Sequence, residues 1–166
     1  MTADLRIAYL QLVLAAIGGT PAAERDRAVE HIRVLDRGPC AASSERMESE
    51  CLMAAARRWC ASRDAKCGAL ADVAISNLLA EKQLVPSERR SEITKGVAEP
   101  RKAVDRELAR VTGTLAVDFR LRTGEPTADD AELARRIDRY CLEAGDNSGL
   151  SWQACASTLA WFLRAR

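Results

Sequence analysis

Six cysteines, at positions 40, 51, 60, 67, 141 and 155, are the residues of this chain whose type and spacing could do chemistry. Three roles are open to them: pairing as disulfides, holding a metal as thiolates, or acting as nucleophiles. The even count and the placement favour pairing. Cys141 and Cys155 stand about equally far from a turn at Asn147-Ser148 that separates two expected helices. In an antiparallel helical hairpin that equality sets two side chains at one level, where their Cα atoms come within bridging range. Cys60 and Cys67 flank a break at Ser62 in a similar way, which leaves Cys40, in a loop, for Cys51 on the helix that follows. The cysteines alone allow many connectivities, so this pairing rests on helix geometry. Reduced cysteines serving as small apolar core residues are the alternative.

A metal centre fits the pattern poorly. Structural zinc draws on close pairs such as C-x₂-C, and no such pair occurs. His31 is the only histidine, which excludes a His-rich site and a helical di-iron site with two Glu-x-x-His motifs. It reads as a partly exposed residue on a helix, without the surroundings of a phosphotransfer histidine. A Cys-His nucleophile pair would need His31 to meet a cysteine that is not oxidised. No G-x-x-x-x-G-K-[ST], G-x-G-x-x-G, G-x-S-x-G or H-E-x-x-H occurs. Asp129-Asp130 suits the first turn of a helix, where negative charge meets the helix dipole. No catalytic residue, cofactor or metal is expected. Trp59, Trp152 and Trp161 are candidates for a binding surface; Trp152 and Trp161 fall on opposite faces of one helix, so a partner contact and core packing both stay open for them.

The elements that must position these residues are helical. Aromatics are only 4% of the 166 residues while apolar residues make up 48%, so a core must be built from Leu, Ala, Val and Ile, a composition that suits helices. Asp4–Ile17 is an apolar run ending at Gly18-Gly19. Thr20-Pro21 offers an N-cap and a proline-led start for a helix to about Asp36, which stops at Gly38-Pro39. Ser43 or Ser44 caps a third helix to about Ala61, and Ser62 a fourth from about Asp64 to Gln83. From Glu88 to about Arg122 the pattern is helical, kinked or divided at Pro100, with Ile93, Val97, Val104, Leu108, Val111 and Leu115 on one stripe. Leu108, Val111 and Leu115 are expected to face the core, Arg106 and Arg110 the solvent. Thr127 with Asp130 resembles a capping box for a helix to about Ala144, with Gly145 at its end; Ser151 caps a last helix to the C-terminus. No segment alternates in the manner of a strand. The expected fold is all-α, a compact array of about six to seven helices forming one domain over 1–166, stapled by disulfides.

Ile7–Ile17 has the length of a signal-peptide core, and Pro21-Ala22-Ala23 is loosely cleavage-like, but Asp4 stands where a basic region would be. A buried core helix is the preferred reading, a signal or uncleaved anchor the other. The run is short of the roughly 20 residues a membrane span requires. Basic and acidic side chains nearly balance, 25 against 24, and are spread along the chain, which argues against a nucleic-acid binder. Only four of the basic residues are lysines, and the arginines alternate with Asp and Glu as on solvated helix faces. Together these features point to a soluble, non-catalytic helical interaction protein, such as an accessory subunit, adaptor or inhibitor, with a protein partner in a periplasm, an intermembrane space or a secreted setting. A cytosolic adaptor with reduced cysteines is the runner-up. An enzyme whose site is assembled from scattered residues is the third reading.

Overall fold

The computed structural model describes residues 2–40, 45–83, 110, 113–148 and 151–165, and among them every regular element is a helix. The first, α1, spans Ala3–Gly18. Thr2 caps it, its Oγ1 accepting the Leu5 N–H at 3.3 Å, and Asp4 adds negative charge to the first turn. The next helix, α2, spans Ala22–Arg37 and leaves α1 at a bend of 117°. Pro21, not Thr20, occupies the cap position and no side chain caps the helix there. The ring fixes φ near its helical value, so the start is set by proline stiffness without a hydroxyl. The helices α3, Glu45–Cys60, and α4, Lys66–Gln83, follow. Asp64, not Ser62, opens α4, its Oδ1 accepting the Lys66 N–H at 2.7 Å. A carboxylate makes the stronger, charge-assisted bond at a helix start.

A fifth helix, α5, covers 113–123 and ends at Gly124, whose φ of +88° places it in the left-handed region. The sixth, α6, spans Asp130–Ser148. Asp129 caps it, accepting the Ala131 N–H at 3.0 Å, while Thr127 Oγ1 accepts from Asp129 N–H and shapes the approach in place of a capping box. The helix runs through Gly145, which the sequence reading placed at its end. Glycine lowers helix propensity by only about 1 kcal/mol, so packing of the preceding turns carries the helix past it. The last helix, α7, spans Trp152–Arg164, with Ser151 Oγ accepting the Ala154 N–H as expected.

Helix α4 is the element that the others share. It packs on α1, α2, α3 and α7, while α1 also packs on α6 and α7, and α6 on α7. Leu70 and Val73 of α4 join Leu10, Val13, Leu14 and Ile17 of α1, Phe119 of α5, Leu133 and Ile137 of α6 and Leu159 of α7 in the larger core. Ala71, Ala74, Ile75 and Leu78, on another face of α4, join Ile32 of α2 and Leu52 of α3 in a smaller one. The apolar run near the N-terminus thus lends Leu10, Val13, Leu14 and Ile17 to the core, while its Leu5 and Leu12 are exposed. No single helix among the described residues is long and apolar enough to cross a membrane. Leu115 is buried and Arg110 exposed, as the stripe requires. Ile93, Val97, Pro100, Val104, Arg106, Leu108 and Val111 lie outside the described residues, as do Ser43, Ser44 and Gly149.

Candidate functional site

The cysteines come together in three pairs. Cys40 is bonded to Cys51, Cys60 to Cys67 and Cys141 to Cys155, with Cα separations of 5.4, 5.6 and 5.9 Å. Each lies within the range a disulfide spans without backbone movement. Their placement is systematic. The first ties the segment after α2 to α3, the second ties the end of α3 to the start of α4, and the third joins α6 to α7. Each therefore closes a connection between consecutive helices. No described cysteine is free.

Beside the second pair lies a cleft of about 280 Å³. Three corners of the chain meet there: the α1–α2 bend supplies Gly19 and Thr20, the first turns of α2 supply Glu24, Arg27 and Ala28, and the α3–α4 corner supplies Trp59, Arg63, Asp64, Lys66, Cys67 and Leu70. Lys66 reaches back over the bend, its Nζ donating to the Gly19 carbonyl at 3.5 Å. A Cβ on Gly19 would sit 2.5 Å from that Nζ and 2.9 Å from the Ala15 carbonyl oxygen, so the close approach depends on glycine. Trp59 forms one wall. His31 stacks on its ring, centroids 4.4 Å apart and planes 18° from parallel, and the Arg63 guanidinium lies 4.3 Å from the ring centroid. Burial pushes the His31 imidazole below the usual histidine range, and Arg63 nearby pushes it the same way. Both effects favour the neutral form of the imidazole that stacks on Trp59.

Trp152 and Trp161 are both half-buried and both pack against the larger core. The Trp152 ring lies 6.4 Å from that of Tyr9, and the Arg6 guanidinium 5.8 Å from its centroid. Arg6 in turn donates from Nε to Asp138 Oδ1 at 2.6 Å, which ties α1 to α6. Trp152 Nε1 is buried and meets no hydrogen-bond partner among the described residues, while the buried Tyr9 hydroxyl lies beside Gln153 and Ser76. Burial raises the Tyr9 phenol above its ordinary range, and the Asp72 carboxylate adds to the effect. These two tryptophans do not meet Trp59 at the cleft.

The three cysteine pairs were legible in the sequence; the cleft was not. Its side chains come from positions 19 to 70 and converge only because α1, α2 and α4 pack together. The one local signal was the Arg63-Asp64-Ala65-Lys66 charge cluster beside Trp59. Among the described residues no group of three His, Cys, Asp or Glu side chains is arranged to hold a metal ion. No protein-family model matches the chain, no curated protein is recognisably similar to it, and no solved structure matches it.

Proposed function

We propose that the protein is a non-catalytic helical interaction module, an accessory subunit, adaptor or inhibitor, that works in an oxidising compartment such as a periplasm or an intermembrane space. The observation that carries this reading is the disulfide framework: each of the three pairs joins consecutive elements and rigidifies the helix corners. Such bridges persist where thiols are not kept reduced. A rigid surface loses little conformational freedom on binding, which favours recognition by a preformed face. The cleft supports binding more than chemistry. Its one sulfur, from Cys67, is held in a disulfide and offers no thiolate, and His31 is engaged with Trp59.

Protein isolated from its natural source under thiol-trapping conditions tests the compartment: three bridges leave no alkylated cysteine before reduction and six after it. Six alkylated cysteines before reduction would favour the cytosolic adaptor. Affinity purification of the same material after covalent cross-linking tests the interaction role. A reproducible stoichiometric protein partner supports it, and a uniformly monomeric, uncross-linked chain counts against it.

A further inference from the structure

The cleft at the α3–α4 corner combines an aromatic wall, an apolar floor and an excess of positive charge. We propose that it binds a singly charged carboxylate carried on a small apolar body, either a free acid or the C-terminal residue of another chain.

Three observations lead there. The first is the state of its cations. Arg6, Arg37, Arg46, Arg122, Arg135, Arg136 and Arg164 all make ion pairs with carboxylates. Among the described residues Arg27, Arg63 and Lys66 make none, as is also true of Arg58 and Arg139, but these three line one cleft: Lys66 Nζ donates to a carbonyl, and the Arg63 guanidinium lies on the Trp59 ring near His31. Three cations are thus gathered at one opening and left for an incoming acceptor. An arginine fork suits a carboxylate, to which it can donate two parallel hydrogen bonds. The second is the charge balance. Glu24 and Asp64 also line the cleft, so its formal charge is one unit positive. That matches a monoanion, whereas a phosphate dianion would be left in excess next to two carboxylates. The start of α2, which no side chain caps, lies beside the opening and adds partial positive charge, whereas the start of α4 is already met by Asp64. The third is size and lining. About 280 Å³ falls just below the roughly 300–1,000 Å³ of pockets that enclose drug-sized ligands. It suits a body no larger than one amino-acid residue, laid against Trp59 and Leu70.

His31 provides a direct readout. It is the chain's only histidine, so its imidazole protons give isolated resonances, and it stacks on the wall of the cleft near Arg63. N-acetyl-leucine is titrated into the full chain at constant pH and ionic strength, with N-acetyl-leucinamide, the same body without charge, in parallel. The acid is expected to shift the His31 signals saturably, and the amide to leave them at least ten-fold less responsive. Arg27→Gln and Arg63→Gln each weaken the acid's binding roughly ten-fold or more, the size of one lost charge-assisted hydrogen bond. Arg46→Gln, on the far stretch of α3, leaves it unchanged, and circular dichroism confirms that all three variants remain folded. A four-residue peptide ending in leucine separates the two sources. Binding that needs its free C-terminus assigns the site to chain ends, and failure of the peptide where the acetylated amino acid binds assigns it to free acids. Equal responses to acid and amide, no saturable response to the acid, or binding that survives both arginine substitutions would overturn the proposal.

Discussion

Two ion pairs of similar length show how environment decides what a side chain contributes. Arg6 and Asp138 are 2.6 Å apart with side chains 17% and 8% exposed, while Arg46 and Glu50 are 3.1 Å apart and 89% and 67% exposed. In the first, removing one partner strands a charge that water reaches only in part. Asp138→Ala should therefore destabilise the protein by about 3 kcal/mol, at the low end for such pairs because Arg6 keeps the Trp152 ring. Glu50→Ala should fall within about 0.5 kcal/mol of the parent. Denaturant unfolding checks both, and equal costs would show that the Arg6 pair is as solvated as the surface one. Tyr140 gives a pH dependence. Its hydroxyl donates to Asp118 Oδ2 at 2.8 Å, and burial followed by that carboxylate pushes the phenol far above its ordinary 10.0. The folded state keeps a proton that the unfolded chain loses, so this contribution is intact below about pH 10 and declines as pH rises past it. Tyr140→Phe should flatten the alkaline fall in urea midpoint without abolishing it, because Tyr9 is shifted in the same direction. An unchanged slope would remove Tyr140 from the account.

At the scale of the element, the α6–α7 hairpin carries the clearest expectation. Cys141 and Cys155 close a loop with a sequence separation of 14, for which the chain-entropy model gives about 3 kcal/mol. The double Cys→Ser variant should melt lower under oxidising conditions, and reductant should affect it less than the parent. The opposite end of the hairpin is held independently, since Arg164 donates to Asp130 Oδ1 at 3.0 Å and to the Thr127 carbonyl, so the variant should lose stability without losing the hairpin. Retained helical circular dichroism with a lowered melting point is the expected result, and an unaltered melting point would show the bridge to be redundant. This hairpin was readable because helix period, turn residues and cysteine spacing all concern neighbours in sequence. Ser151 as a cap and the three cysteine pairs were readable for the same reason. What escaped depends on competition or distance. Asp64 displaces Ser62 as the cap of α4, α6 continues through Gly145, and Trp59 meets His31 only when α2 and α3 are brought together by α4.

For the whole molecule, the shared helix α4 is what makes two cores one structure. Leu14 is fully buried in the larger core and Ile32 in the smaller, yet both cores rest on α4. Leu14→Ala and Ile32→Ala should each cost about 2–5 kcal/mol. Both should lower a single transition that near- and far-ultraviolet circular dichroism report at the same midpoint. Two separated transitions would mean that the smaller core opens while the larger persists. The helix α7 sets the pattern on which sequence change is admitted. From Ala154 to Ala160 seven consecutive residues are buried, on every side of the helix, and all but Leu159 are small. Along α2, by contrast, burial is confined to a few positions. A survey of all single substitutions should consequently find a helical rhythm of permitted and forbidden positions along α2 and an unbroken forbidden block in α7. Lineages of this protein would then drift freely around the rim and keep that short, small-residue segment nearly fixed, so that a probe for distant kin is best built on residues 154–160.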